Sequence, residues 1–260
     1  FSISSIFKKK VLLKQNLKKI YENIWRGSYP QVVAGDSKIW EQFYRSYLTT
    51  YVERDARDYL KIDNLAAFSK FIRVAAARSG QMVNYREISK DVGVSEPSIK
   101  SWLQVLEATG LVFFLQPYFN NITKRLVKTP KFYFMDTGLC CYLTGWINPD
   151  VLEKGAMSGA MLETYVVSEI IKSYLNAGKR PPIYFYTDKE RNEVDVLVEQ
   201  AGQLHPIEIK KSATISNTNF KGFEFLSKLK TPIGHGCVLC FSKNWLPIKP
   251  GIDAVPIGYI

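Results

Sequence analysis

Apolar residues recur at helical spacing through the first half of the chain and at strand spacing through much of the second. Residues 1–63 open on a basic helical stretch, where Lys8, Lys9, Lys10, Lys14, Lys18 and Lys19 interleave with Val11, Leu12, Leu13, Leu17 and Ile20. A solvated amphipathic face is the default explanation for such a run. Gly27-Ser28-Tyr29-Pro30 breaks it. A longer helix is predicted from about Ser37 to Tyr59, with Trp40, Phe43, Tyr44, Tyr47 and Tyr51 as its core stripe.

Residues 64–145 read as a second unit. A helix from Phe68 to Arg78 ends at Gly80, and a short one from Tyr85 to Asp91 closes at Gly93. Ser95 then caps a third helix with Pro97 in its first turn, which runs to Ala108 and buries Ile99, Leu103 and Leu106. An apolar strand comes next at Leu111–Leu115, and a second at Lys131–Phe134. Three helices and a hairpin in this order describe a winged helix-turn-helix, whose last helix enters the major groove of DNA while the hairpin touches phosphates. Ser98, Lys100, Ser101 and Gln104 are then the groove-facing candidates, and Lys124, Arg125, Lys128 and Lys131 line the wing. Such modules also serve as protein–protein adaptors, which leaves internal packing open.

Asn148-Pro149 and Gly155 mark a linker over 146–155. Beyond it, residues 158–175 form a helix with Leu162, Val166, Ile170 and Tyr174 on one face. Strands are expected at 183–187, 192–199 and 204–210, a helix at 219–229, a strand at 236–241, and a further strand at 255–259. Helix, three strands, helix and strand make a compact α/β order with a mixed sheet, so the whole chain is α+β.

Composition narrows the partners. A hydrophobic content of 46% with 13% aromatics belongs to a folded protein. A net charge of +11 and a pI near 9.3 favour an anionic partner, with nucleic acid first and a membrane surface second. No apolar run is long enough to span a bilayer, which argues against a membrane. The four cysteines make no disulfide framework, and Cys237-Val-Leu-Cys240 lacks the further ligands that zinc needs. They are expected to be structural, in a reducing cytoplasm. No phosphate-binding Gly-x-x-x-x-Gly-Lys-Ser/Thr loop occurs in these residues, and the chain opens on Phe1, as expected of the later part of a longer protein.

The chemistry lies in Glu193-Val-Asp195-Val-Leu-Val198 and Pro206-Ile-Glu208-Ile-Lys210. Alternation puts Glu208 and Lys210 on one strand face and the two isoleucines on the other. Asp195 falls on the neighbouring strand, within pairing distance if the turn lies near Ala201-Gly202. Glu163 and Glu169, on the preceding helix, are acids that could approach the same end of the sheet. Two or three carboxylates and a lysine suit a magnesium or manganese ion and a phosphate, with Asp195 and Glu208 as metal ligands and Lys210 orienting water or stabilising the transition state. The competing explanation is an exposed strand face carrying a Glu208–Lys210 pair.

Together with Tyr51-Val-Glu-Arg-Asp55, Lys131-Phe-Tyr-Phe-Met-Asp-Thr-Gly-Leu139 and Leu162-Glu163-Thr-Tyr-Val, these stretches resemble the domain of unknown function that lies after AAA-type ATPase domains in prokaryotic proteins. The third unit resembles the PD-(D/E)XK, or restriction-endonuclease-like, nuclease superfamily. There Asp195 is the motif aspartate, Glu208-x-Lys210 the final motif and Glu163 the helix acid. The resemblance implies an upstream ATPase domain absent from this chain, a helical linker over 1–63, a winged helix over 64–145 and a nuclease-like domain over 146–260. It implies either DNA phosphodiester hydrolysis or a non-catalytic DNA-binding, regulatory or protein-interaction arm.

Overall fold

Side-chain caps begin the helices in the middle of the chain. The computed structural model describes residues 16–35, 39–51, 64–120 and 128–260. These form two compact units. One comprises Tyr21–Phe114 and Phe132–Thr164, the other the described parts of Phe1–Ile20, Leu115–Lys131 and Tyr165–Ile260.

The first unit is helical. Helices α1 (Leu17–Arg26), α2 (Pro30–Ala34) and α3 (Trp40–Thr50) lead into it. In α4 (Leu65–Ala76), Asn64 accepts from the Ala67 amide, and Phe68, Phe71, Ile72, Ala75 and Ala76 make the buried stripe. Asn84 caps α5 (Tyr85–Val92) by accepting from the Glu87 amide. Gly93 ends α5 in the left-handed region, with φ +88°, and its amide returns to the Ser89 carbonyl at 2.8 Å. Ser95 caps α6 (Glu96–Ala108) almost at once, so α5 and α6 are joined by a tight turn. Trp102 of α6 packs at 5.3 Å from the rings of both Phe68 and Phe71. Strands β1 (Val112–Leu115) and β2 (Lys131–Phe134) then pair as a two-stranded sheet.

Asp136 ties the end of this sheet to the helices around it. It is 6% exposed and caps α7 (Thr137–Thr144) through the Leu139 amide at 2.7 Å. It also accepts from the Ser28 amide at 2.7 Å, the Ser28 hydroxyl at 3.0 Å and the Tyr44 hydroxyl at 2.7 Å. Gly27, at φ +83°, and Gly138 leave the space this carboxylate and phenol occupy; a Cβ at either would collide with the Tyr44 oxygen. Residues 149–154, expected as linker, instead form helix α8 (Pro149–Lys154), capped by Asn148. Helix α9 (Ser158–Asn176) comes after it.

The second unit holds a six-stranded mixed sheet in the order β3-β4-β5-β6-β8-β7, built from β3 (Ile183–Thr187), β4 (Glu193–Gln200), β5 (Gln203–Ile209), β6 (Gly236–Cys240), β7 (Leu246–Lys249) and β8 (Ile252–Pro256). The strands β3, β4 and β5 form an antiparallel meander, while β5, β6 and β8 run parallel. Tyr186, Val194, Leu197, Leu204, Val238, Cys240 and Ala254 share a core with Phe220, Phe223 and Leu226. The last three come from a broken helical stretch, 3-10 turns on either side of α10 (Gly222–Phe225), where one continuous helix was expected. Tyr118 and Gln116 hydrogen-bond Phe185 and cover the outer edge of β3. Among the described residues no helix is long and apolar enough to cross a membrane.

Candidate functional site

The end of the β4–β5 hairpin away from its turn carries the chemistry. Backbone pairing runs from Gln200↔Gln203 to Val196↔Ile207. One step further, the Asp195 carboxylate takes the place of a backbone acceptor, and the Ile209 amide donates to its Oδ2 at 2.8 Å. On the other side of β4, Tyr184 pairs with Leu197 and Tyr186 with Val194. Phe185 therefore faces two residues, Asp195 and Val196, across a β-bulge in β4. A bulge of this kind re-aims the side chain it displaces.

Glu208 is 8% exposed, and its Oε2 is buried from solvent. It pairs in register with Val238 and so shares the sheet face of the aromatic core. Lys210, half-buried, reaches back to Glu208 Oε1 at 2.5 Å, so both lie on one face as alternation predicts. Ile207 and Ile209 face the other way and are buried. Asp195, Glu208 and Lys210 are thus brought to one end of one hairpin.

The other expected residues lie on other elements. Glu163, in the helical unit, accepts a hydrogen bond from Tyr133 Oη at 2.6 Å. Glu169 pairs with Lys172 at 2.8 Å. On α6, Lys100, Ser101 and Gln104 are exposed, whereas Ser98 is half-buried with its hydroxyl 2.8 Å from that of Ser95. Lys128 is exposed; Lys124 and Arg125 lie outside the described residues. Lys131 departs from expectation. It is 6% exposed, forms an ion pair with Glu193 and sits 5.6 Å over the Phe185 ring, so it is no surface wing residue.

The described residues hold no group of three or more His, Cys, Asp and Glu that could bind a metal. Asp195 and Glu208 make a two-carboxylate set of hard oxygens. That chemistry fits magnesium, which binds through one or two carboxylates and keeps waters for a phosphate to replace. The cysteines are free, buried thiols, and burial pushes Cys237 up to about 12. Sequence reasoning missed Asp136, although Asp before Thr-Gly-Leu and an apolar run is itself a helix-start signal. Glu193, within the motif stretch, was given no role by the sequence, and its ion pair with Lys131 shows one.

Residues 17–150 match the family described as Domain of unknown function (DUF8612), which covers just over half of the chain. The chain belongs to the DUF8612 family. Residues 158–260 of this family member match a second one, Domain of unknown function (DUF4143), an AAA-ATPase-associated C-terminal domain. Two mycobacterial relatives, Uncharacterized protein Rv2008c of Mycobacterium tuberculosis and Uncharacterized protein Mb2031c of Mycobacterium bovis, are each 29% identical over 200 residues, or 75% of the chain. The match spans 44% of their length, less than half of each relative. Protein VC1899 from Vibrio cholerae, a crystal structure, aligns over 93% of this chain and 55% of its own at 15% identity. Its TM-score of 0.23 is too low to carry an argument.

Proposed function

We propose that the second unit is a metal-dependent phosphodiesterase of the PD-(D/E)XK nuclease type. It is joined to a DNA-binding winged helix in the C-terminal part of a prokaryotic AAA-type ATPase protein. The observation that carries the proposal is the bulged hairpin end, where Asp195, released from the backbone ladder, stands beside Glu208 and Lys210. Burying charge in a sheet is costly, and Glu208 with Lys210 keeps an ion pair on the core-facing side of β5 next to the Asp195 carboxylate's strand, an arrangement suited to a cation and a phosphate.

Asp195 and Glu208 would hold Mg2+ or Mn2+. Such an ion, when bound, lowers the pKa of a coordinated water and neutralises charge on a phosphoryl oxygen. The chain's own residues supply the rest. The Ile209 amide fixes one Asp195 oxygen and so orients the other. The Lys210 ammonium, held by Glu208, is a compact charge suited to a phosphate oxygen or the attacking water. The order α4, α5, α6, β1, β2 supports a winged helix, with Lys100, Ser101 and Gln104 toward the groove. The DUF4143 match and the much longer relatives support an ATPase domain elsewhere in the polypeptide.

Plasmid incubated with the protein and Mg2+ or Mn2+ tests the proposal. Asp195→Ala should lower cleavage on the order of 100-fold, the usual scale for losing one group that manages developing charge. Equal rates for wild type and variant sink it. The Glu208–Lys210 ion pair favours a second reading, because such a pair needs no metal. Here the chain is a non-catalytic DNA-binding or regulatory arm of the ATPase. Salt-dependent DNA binding without metal-dependent cleavage is its signature.

A further inference from the structure

We infer that Lys131 is a positioning residue for Asp195, a role that rests on the nuclease reading of the hairpin but has its own physical signature. Two contacts and its burial support this. The ammonium is paired with Glu193, the first residue of β4 and two positions before Asp195. It lies 5.6 Å from the centroid of Phe185, the residue opposite the β4 bulge. It is also 6% exposed, while the Glu193 side chain is 42% exposed.

The bulge needs such a clamp. At Asp195-Val196 the β3–β4 register slips by one residue. An antiparallel pair without a bulge would turn Asp195 into the backbone ladder and change the face of every residue beyond it. Lys131 holds both sides of the slip at once, Glu193 by charge and Phe185 by its ring face. Burying a lysine for stability alone is a poor choice, because a methionine of similar length packs as well without the desolvation cost. A directional contact is what the charge adds. The outcome of that contact is the Ile209 N–H to Asp195 bond, which fixes the carboxylate through one of its oxygens.

Amide hydrogen exchange of the whole chain, resolved at Ile209, tests this in Lys131→Met, Lys131→Arg and wild-type protein. Lys131→Met should speed exchange at Ile209 by about tenfold or more, relative to Val198 and Leu239, because only the bulged end loosens. Lys131→Arg, which restores a cation over the ring and against Glu193, should bring it back. Unchanged Ile209 exchange in Lys131→Met overturns the inference. So does a rise matched at Val198 and Leu239, which marks general destabilisation. Mn2+ affinity and plasmid cleavage are measured on the same samples. If wild type neither binds Mn2+ nor cleaves, the nuclease reading fails, while the exchange result still decides whether Lys131 sets the position of Asp195.

Discussion

Replacing Asp136 with alanine should be among the most damaging single changes in the helical unit. The carboxylate is 6% exposed and accepts four hydrogen bonds between 2.7 and 3.0 Å. Two of the donors rotate away from the loss, since the Ser28 hydroxyl turns freely and the Tyr44 hydroxyl already lies 3.0 Å from the Arg26 carbonyl. The Ser28 and Leu139 amides cannot. A buried N–H such as that of Leu139, left without an acceptor, costs about 1–3 kcal/mol, and its bond is also the cap of α7, whereas the amide of exposed Ser28 loses less. Together these give about 2–4 kcal/mol for Asp136→Ala. Tyr44→Phe, which leaves Asp136 three donors, should cost only about 1 kcal/mol. Urea unfolding monitored by tryptophan fluorescence measures both, because Trp25 and Trp40 stack at 4.3 Å in the same unit. A loss below about 1 kcal/mol for Asp136→Ala, at unchanged m, refutes the claim that this carboxylate organises the unit.

Burial and charge predict two further outcomes. Burial raises both Cys237 and Tyr21 to about 12, from ordinary values of 9.0 and 10.0. The folded state keeps protons that the unfolded chain releases, so their contribution is fully present below about pH 9 and is lost as pH rises through about 12. Denaturation between about pH 8 and pH 11 should show falling stability, with a shallower fall in Cys237→Ala; a flat profile contradicts it. Reversing the charge of Lys124, Arg125 and Lys128 together should reduce the log–log salt slope of duplex DNA binding by about 2–3 units, read by fluorescence anisotropy. An unchanged slope removes these three residues from the interface.

Local signals carried much of the architecture. Ser95 caps its helix as its pattern predicts, while Asn64 and Asn84 cap theirs although the sequence reading passed over them. The hairpin of Asp195 and Glu208 was legible because strand alternation needs no tertiary context. Long-range pairing was not. Lys131 looked like a wing cation because its partner, Glu193, lies far along the chain and carries no mark of its own. The β4 bulge was equally hidden, since Asp195-Val196 reads as regular alternation and only Phe185 across the pair exposes the extra residue. Strand β7 was missed because Pro247 removes a ladder donor, which confines such a sequence to an edge, and β7 is that edge. Residues 149–154 read as linker from Pro and Gly, although Asn148 and Pro149 are also a cap and a first-turn proline.

The hairpin end also sets an order of events in time. Asp195 and Ile209 are 14 positions apart, joined by a turn at Ala201-Gly202 in which Ala201, at φ +50°, and Gly202, at φ +75°, are both left-handed. A hairpin of this kind closes in about 1–10 μs, long before distant segments find one another. Lys131 and Glu193 are 62 positions apart, so their contact closes a much longer loop than the hairpin does. The acids therefore come near each other early, and the contact that fixes the bulge comes later. During synthesis or refolding the pair is assembled before it is aimed.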